Sequence, residues 1–151
     1  MNVFAYDLDG ILLADISYEK LDSFYSHNDL VIIRSKTEPI FIPKSPYYLI
    51  TGRPIEELSF TQSWIDEYFK PTERPLALFH TNGDWKHASV YKADILNSHP
   101  KITVYFESCK LQVKYIKKLL TRDTVEIVLW SDFILNQLNN LKFKNFDLVK
   151  P

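Results

Sequence analysis

Five short apolar runs, Val3–Leu8, Tyr47–Ile50, Leu76–Phe79, Ile102–Phe106 and Val125–Trp130, are separated by segments whose apolar residues mostly recur at helical spacing. This alternation leaves few folds open. Strands that alternate with helices imply a mostly parallel sheet covered on both faces. In such sheets ligands bind at the carboxyl ends of the strands, so the residues just after each run are the candidate ligand-binding residues.

The helical segments follow from the same pattern. Ile55, Leu58, Ile65 and Phe69 form one stripe, with Pro54 suited to its first turn, where a missing N–H is harmless. A second helix is predicted from about Ala88 to Leu96. A third places Leu111, Tyr115, Ile116, Leu119 and Leu120 on one face and leaves Lys110, Lys114, Lys117 and Lys118 mostly off it. Shorter helices are expected over Tyr18–Tyr25 and Phe133–Leu141. Leu30–Ile33 and Pro39–Ile42 read as two strands joined by the polar turn Ser35-Lys36-Thr37-Glu38, a hairpin between the first two core strands. The expected fold is α/β, a Rossmann-like three-layer α/β/α sandwich with a small β-hairpin flap.

At 151 residues the chain fits one domain, 1–151, with one sizeable core. A net charge of −1 argues against a general nucleic-acid binder. The single cysteine, Cys109, has no internal disulfide partner. Asp7 and Asp9 interrupt the first apolar run, so it does not read as a signal peptide, and no run has the length to span a bilayer. A cytoplasmic location without membrane attachment is the expectation.

Asp7-Leu8-Asp9-Gly10 closes the first run. Two carboxylates this close repel each other unless a cation or a shared proton intervenes. A hard divalent ion held by oxygens resolves the repulsion and keeps positions open for phosphate and water. One acid can then attack phosphorus, and the other can protonate the leaving group and later activate water. Read alone, the same residues also make an acidic turn after a strand. Thr51-Gly52 closes the second run, where a hydroxyl and backbone N–H groups suit a phosphate oxygen at a helix N-terminus, or a plain helix cap.

Taken together and in this order, Asp7-Leu8-Asp9-Gly10 and "LITGRP" (Leu49 to Pro54) resemble the haloacid dehalogenase superfamily of phosphohydrolases. The resemblance covers Asn2 to about Trp130. It implies Asp7 as nucleophile, Asp9 as general acid/base, and Thr51 with Gly52 as the phosphate-binding element. It also implies a charge-balancing lysine, which falls on Lys92 in "ASVYKADIL" with Lys86 as the alternative. Magnesium would be held by Asp7, Asp9 through its backbone carbonyl, and Glu107. Family members commonly show an acidic pair after the fourth strand; here the pair is Glu107-Ser108, with Asp132 a further acid after the fifth strand.

The stretch "SVYKADILNSHPKITVYFES" looks most like the small group called Swiss Army Knife RNA repair-like, whose members lack a large cap domain. Only Ile11 to Ser45 lies between the first two core strands, which leaves little room for a cap. By analogy the expected substrate is a phosphate ester, a nucleotide or nucleic-acid terminal phosphate first and a small metabolite second. The alternative is a binding or regulatory protein that keeps the fold without turnover. His27, His80, His87 and His99 show no metal-ligand spacing, and no Gly-x-x-x-x-Gly-Lys-Ser/Thr loop is present. Trp64, Trp85 and Trp130 are expected mostly in the core.

Overall fold

The computed structural model describes residues 1–16, 26–44, 46–81 and 87–149, with side chains described through residue 141. The helix expected over Tyr18–Tyr25 lies outside these residues, as do Lys86, Trp85 and most of the turn after Thr81.

Each of the five apolar runs forms part or all of a strand: β1 (Phe4–Tyr6), β2 (Tyr47–Pro54), β3 (Ala77–Thr81), β4 (Val104–Glu107) and β5 (Glu126–Leu129). They pair in the order β3-β2-β1-β4-β5, every pair parallel. Side chains alternate across the sheet. Phe4, Tyr6, Tyr47, Leu49, Val104 and Phe106 join one apolar cluster, while Ala5, Ile50, Tyr105 and Ile127 join another. The first cluster takes in Trp64 and Ile65 of α2 (Leu58–Tyr68) and Trp130 and Phe133 of α5 (Trp130–Val149). The second takes in Ala93 and Leu96 of α3 (Ala88–Ser98) and Val113 and Ile116 of α4 (Lys110–Leu119). Helices on both faces of a parallel sheet make the expected three-layer α/β/α sandwich. Among the described residues, no helix is long and apolar enough to cross a membrane.

The hairpin flap is not there. Leu30–Ile33 belongs to helix α1 (His27–Ser35), and Pro39–Ile42 is irregular chain. Ser26 and Asp29 explain the difference. The Asp29 N–H donates to Ser26 Oγ at 3.3 Å and the Ser26 N–H donates to Asp29 Oδ2 at 2.7 Å, a reciprocal capping box. That box starts a helix whose Leu30 and Val31 are buried. The β-branched Val31-Ile32-Ile33 favours a strand only weakly, and the cap outweighs it. The Thr37 hydroxyl donates to Ile33 O at 2.7 Å and closes the helix where a hairpin turn was expected. Ile40 N–H then donates to Leu12 O at 2.7 Å, which ties the following segment to the loop after β1.

Two helix boundaries also differ. Pro54 ends the long strand β2 and caps a short 3-10 turn, Ile55–Glu57, instead of opening α2. Helix α5 extends over 20 residues, well past the expected Leu141, because no Gly or Pro interrupts the chain before Pro151.

Candidate active site

Strand β1 lies at the centre of the sheet between β2 and β4: the chain runs outward from β1 through β2 to β3, then crosses back to β4 and β5 on the other side. A crevice for ligands is expected at the carboxyl end of such a switch point. Asp7 follows β1, Thr51 and Gly52 lie in β2, and Glu107 ends β4, so the topology alone brings these residues together. Asp7 is locked in place by its N–H, which donates to Phe106 O at 2.9 Å.

The turn after Asp7 depends on Gly10. Its φ of +88° lies in the left-handed region, and a Cβ there would sit 2.8 Å from Ser108 Cβ. Leu8, Ile11, Leu12 and Leu13 around it are all fully buried. Gly10→Ala is therefore expected to destabilise the protein by about 2–3 kcal/mol, from backbone strain and the displaced Ser108. Urea unfolding of the two proteins checks this; equal stability would show that the turn relaxes freely.

Lys92 comes from the middle of α3 and is only 1% exposed. Its Nζ lies 2.9 Å from Glu107 Oε1, 3.2 Å from Glu107 Oε2 and 3.3 Å from Asp7 Oδ1. Tyr105 O–H donates to Glu107 Oε2 at 2.9 Å. Burial works against the Lys92 ammonium, but Asp7 and Glu107 more than offset it, so its pKa lies above the ordinary value. Burial and the charge of Asp7 push the Glu107 carboxyl up to about 8, against the pull of Lys92. Burial, with Glu107 and Asp7 beside it, raises the Tyr105 hydroxyl well above its ordinary value, so it remains a donor.

This predicts a pH dependence. The folded Glu107 keeps its proton up to about 8, whereas the unfolded group releases it near 4.5. Between those values the folded state binds more protons, so this group's contribution to stability is complete below the window and declines as pH rises through it. Urea unfolding at pH 5 and pH 8 should show wild type losing stability relative to Glu107→Gln at the higher pH. A constant difference between the two proteins would contradict the assignment.

Thr51 is fully buried, and its Oγ accepts from Arg53 N–H at 3.1 Å. It lies within β2 and not at a helix N-terminus. The pairing of β2 with β3 shifts register between Thr51 and Pro54, a bulge that displaces Gly52 and Arg53 from the ladder. Thr81 Oγ donates to Gly52 O at 3.0 Å and to Arg53 O at 3.1 Å and pins the bulge. A Cβ on Gly52 would make ordinary contact with Ala88 Cβ at 3.5 Å and Lys92 Nζ at 3.9 Å, which places Gly52 beside the ammonium.

Asp9 is placed differently from Asp7. Arg53 grips it with both arms, Nε at 2.8 Å from Oδ2 and Nη2 at 2.7 Å from Oδ1. Burial alone would raise the Asp9 carboxyl, but Arg53, with Arg34 and Lys92 behind it, holds it below the usual carboxylate range. A group so held is a poor proton donor at neutral pH until the fork opens.

The same side chains can be tested as a magnesium set. Both Glu107 oxygens are engaged by Lys92 and Tyr105, and Asp7 Oδ2 accepts from Ser108 O–H at 2.7 Å. Among the described residues, no three His, Cys, Asp or Glu side chains gather as a metal-holding group. As placed, these residues do not fit a site in which Glu107 is a direct ligand. Asp132 lies on the first turn of α5, exposed, where it complements the helix dipole.

Sequence reasoning did not single out Arg34, Arg53, Glu57 and Tyr105, which complete the cluster. Arg53 was within reach, since it directly follows Thr51-Gly52. No protein-family model, curated protein or solved structure matches the chain.

Proposed function

We propose that the protein is a phosphohydrolase in which Asp7 attacks phosphorus. The observation that supports this best is the joint placement of Asp7, Lys92 and the Thr51-Gly52 bulge at the carboxyl end of the central strand. Thr51, the Gly52 N–H and Lys92 would bind the phosphoryl oxygens and offset their charge as it builds. Asp7 would form the P–O bond as the leaving oxygen departs, giving an aspartyl-phosphate. Asp9, released from Arg53 and protonated from solvent, would give that proton to the leaving oxygen and then, as the carboxylate, take one from the water that frees phosphate.

Magnesium supplies charge neutralisation on phosphoryl oxygens when bound. Asp7 and the Asp9 backbone carbonyl would hold it, with Glu107 joining only on leaving Lys92. A cytoplasmic setting and a nucleotide or nucleic-acid terminal phosphate as substrate go with this reading.

A second reading, a binding or regulatory protein without turnover, is favoured by the Asp9–Arg53 ion pair and by Ser108 beside Asp7. One assay separates the two. Phosphate release is measured from an aryl phosphate and from nucleoside 3′- and 5′-monophosphates, with and without Mg²⁺, beside a Mg²⁺ titration. Release above background supports the enzyme. No release from any ester and no Mg²⁺ binding supports the second reading.

A further inference from the structure

Two arginines converge on Asp9. Arg53 comes from β2, and Arg34 comes from α1, the helix between β1 and β2. Their roles differ in detail. All three Arg53 nitrogens donate: Nε and Nη2 fork onto Asp9, and Nη1 bonds Thr61 Oγ at 3.2 Å. Arg34 is only loosely held. Its Nε is buried with no hydrogen-bond partner among the described residues, 3.9 Å from Asp9 Oδ1. Its Nη1 is 3.5 Å from Glu57 Oε2, and both Glu57 oxygens also lack a hydrogen bond among the described residues. The clear contact of Arg34 is Nη2 donating to Ile16 O at 3.2 Å.

Buried polar groups are normally hydrogen-bonded, and a guanidinium has five donors. A buried arginine near two carboxylates but hydrogen-bonded to neither is unusual for a purely structural group. A planar fork suits phosphate as well as carboxylate. Arg53 follows Thr51 by two residues within the bulge, and its N–H donates to Thr51 Oγ at 3.1 Å, so the arginine and the Thr51-Gly52 element are held side by side. That adjacency suits two phosphate groups carried on one sugar, or the terminal phosphate and next diester of a nucleic acid.

We infer that Arg34 and Arg53 form a second anion subsite, which takes a further phosphate group of a substrate whose terminal phosphate is at Asp7. The inference rests on the phosphohydrolase reading and narrows its substrate to esters with at least two phosphate groups. Two cations against Asp9 and Glu57 leave the cluster balanced, so an arriving phosphate takes the place of Asp9 in the fork. Filling the second subsite then also frees the Asp9 carboxylate beside Asp7.

Binding tests this without requiring turnover. Calorimetry compares orthophosphate with methylenebisphosphonate on wild type, Arg34→Ala and Arg34→Lys, each checked for folding by circular dichroism. Wild type should bind the bisphosphonate about tenfold tighter or more, the size of one added charge-assisted contact. Arg34→Ala should lose most of that preference and Arg34→Lys should keep part of it. If orthophosphate binds and the bisphosphonate is no tighter, the subsite is wrong while the phosphohydrolase reading stands. A preference that survives in Arg34→Ala also overturns it, and binding of neither anion counts against both. The substrate source is read from kcat/KM for a nucleoside 3′,5′-bisphosphate and a 5′-phosphorylated dinucleotide, each against the nucleoside monophosphate. A preference for either supports the subsite and identifies the source; a preference for neither overturns it.

Discussion

Replacing Lys92 by methionine is expected to destabilise the fold by about 3–5 kcal/mol, the range for a buried charge cluster that loses one partner. The side chain is 1% exposed and touches both Asp7 and Glu107. Methionine keeps most of the volume, so the loss isolates charge from packing. Without the ammonium, Asp7 and Glu107 face each other in a dry site with Tyr105 as the remaining donor to Glu107. Above pH 8, where Glu107 has released its proton, the double variant Lys92→Met with Glu107→Gln should recover part of the loss, because only one carboxylate then remains. Urea unfolding of the four proteins forms a double-mutant cycle. Additive effects would show that the two side chains do not interact, contrary to the short Nζ–Oε distances.

The largest functional effect is expected at Asp7. Asp7→Asn should reduce turnover by about a thousandfold or more, as removal of a nucleophile does. Its stability should change little or improve. Asparagine matches the shape of aspartate, its oxygen still accepts from Leu8 N–H, and one charge next to Glu107 is removed. Thermal unfolding run beside the activity assay separates the two effects. A variant as active as wild type would end the nucleophile assignment, whereas loss of both activity and fold would indicate a structural role.

The architecture was legible because a buried parallel sheet leaves a plain signature. Runs such as Tyr47–Ile50 and Leu76–Phe79 have no polar interruption. The face of α4 was misread in part: Leu111, Tyr115 and Leu119, expected on the apolar stripe, are exposed, and Val113 and Ile116 are the buried residues. The convergence of Asp7, Thr51 and Glu107 was legible for the same reason, since strand ends meet once the sheet is parallel. Lys92 was harder to place, because a buried lysine on a helix looks like an exposed one until its partners are known. Local apolar content misled at Leu30–Ile33, where the Ser26-Asp29 cap outweighed strand propensity. The Asp9–Arg53 fork was not legible, because Arg53 turns inward through a bulge that leaves no mark on periodicity. Arg34 depends on that same mistaken hairpin: between a strand and its turn it would not have been placed beside Glu57, whereas it lies in the last turn of α1.

The central claim, that Asp7 accepts the phosphoryl group, is tested most directly by acid-quenching the protein during turnover of a monoester radiolabelled in its phosphate. The account predicts label bound covalently to wild type, released by hydroxylamine as acyl phosphates are, mapping to Asp7 and absent from Asp7→Asn. Turnover with no label on the protein, or with label on another residue, would contradict it.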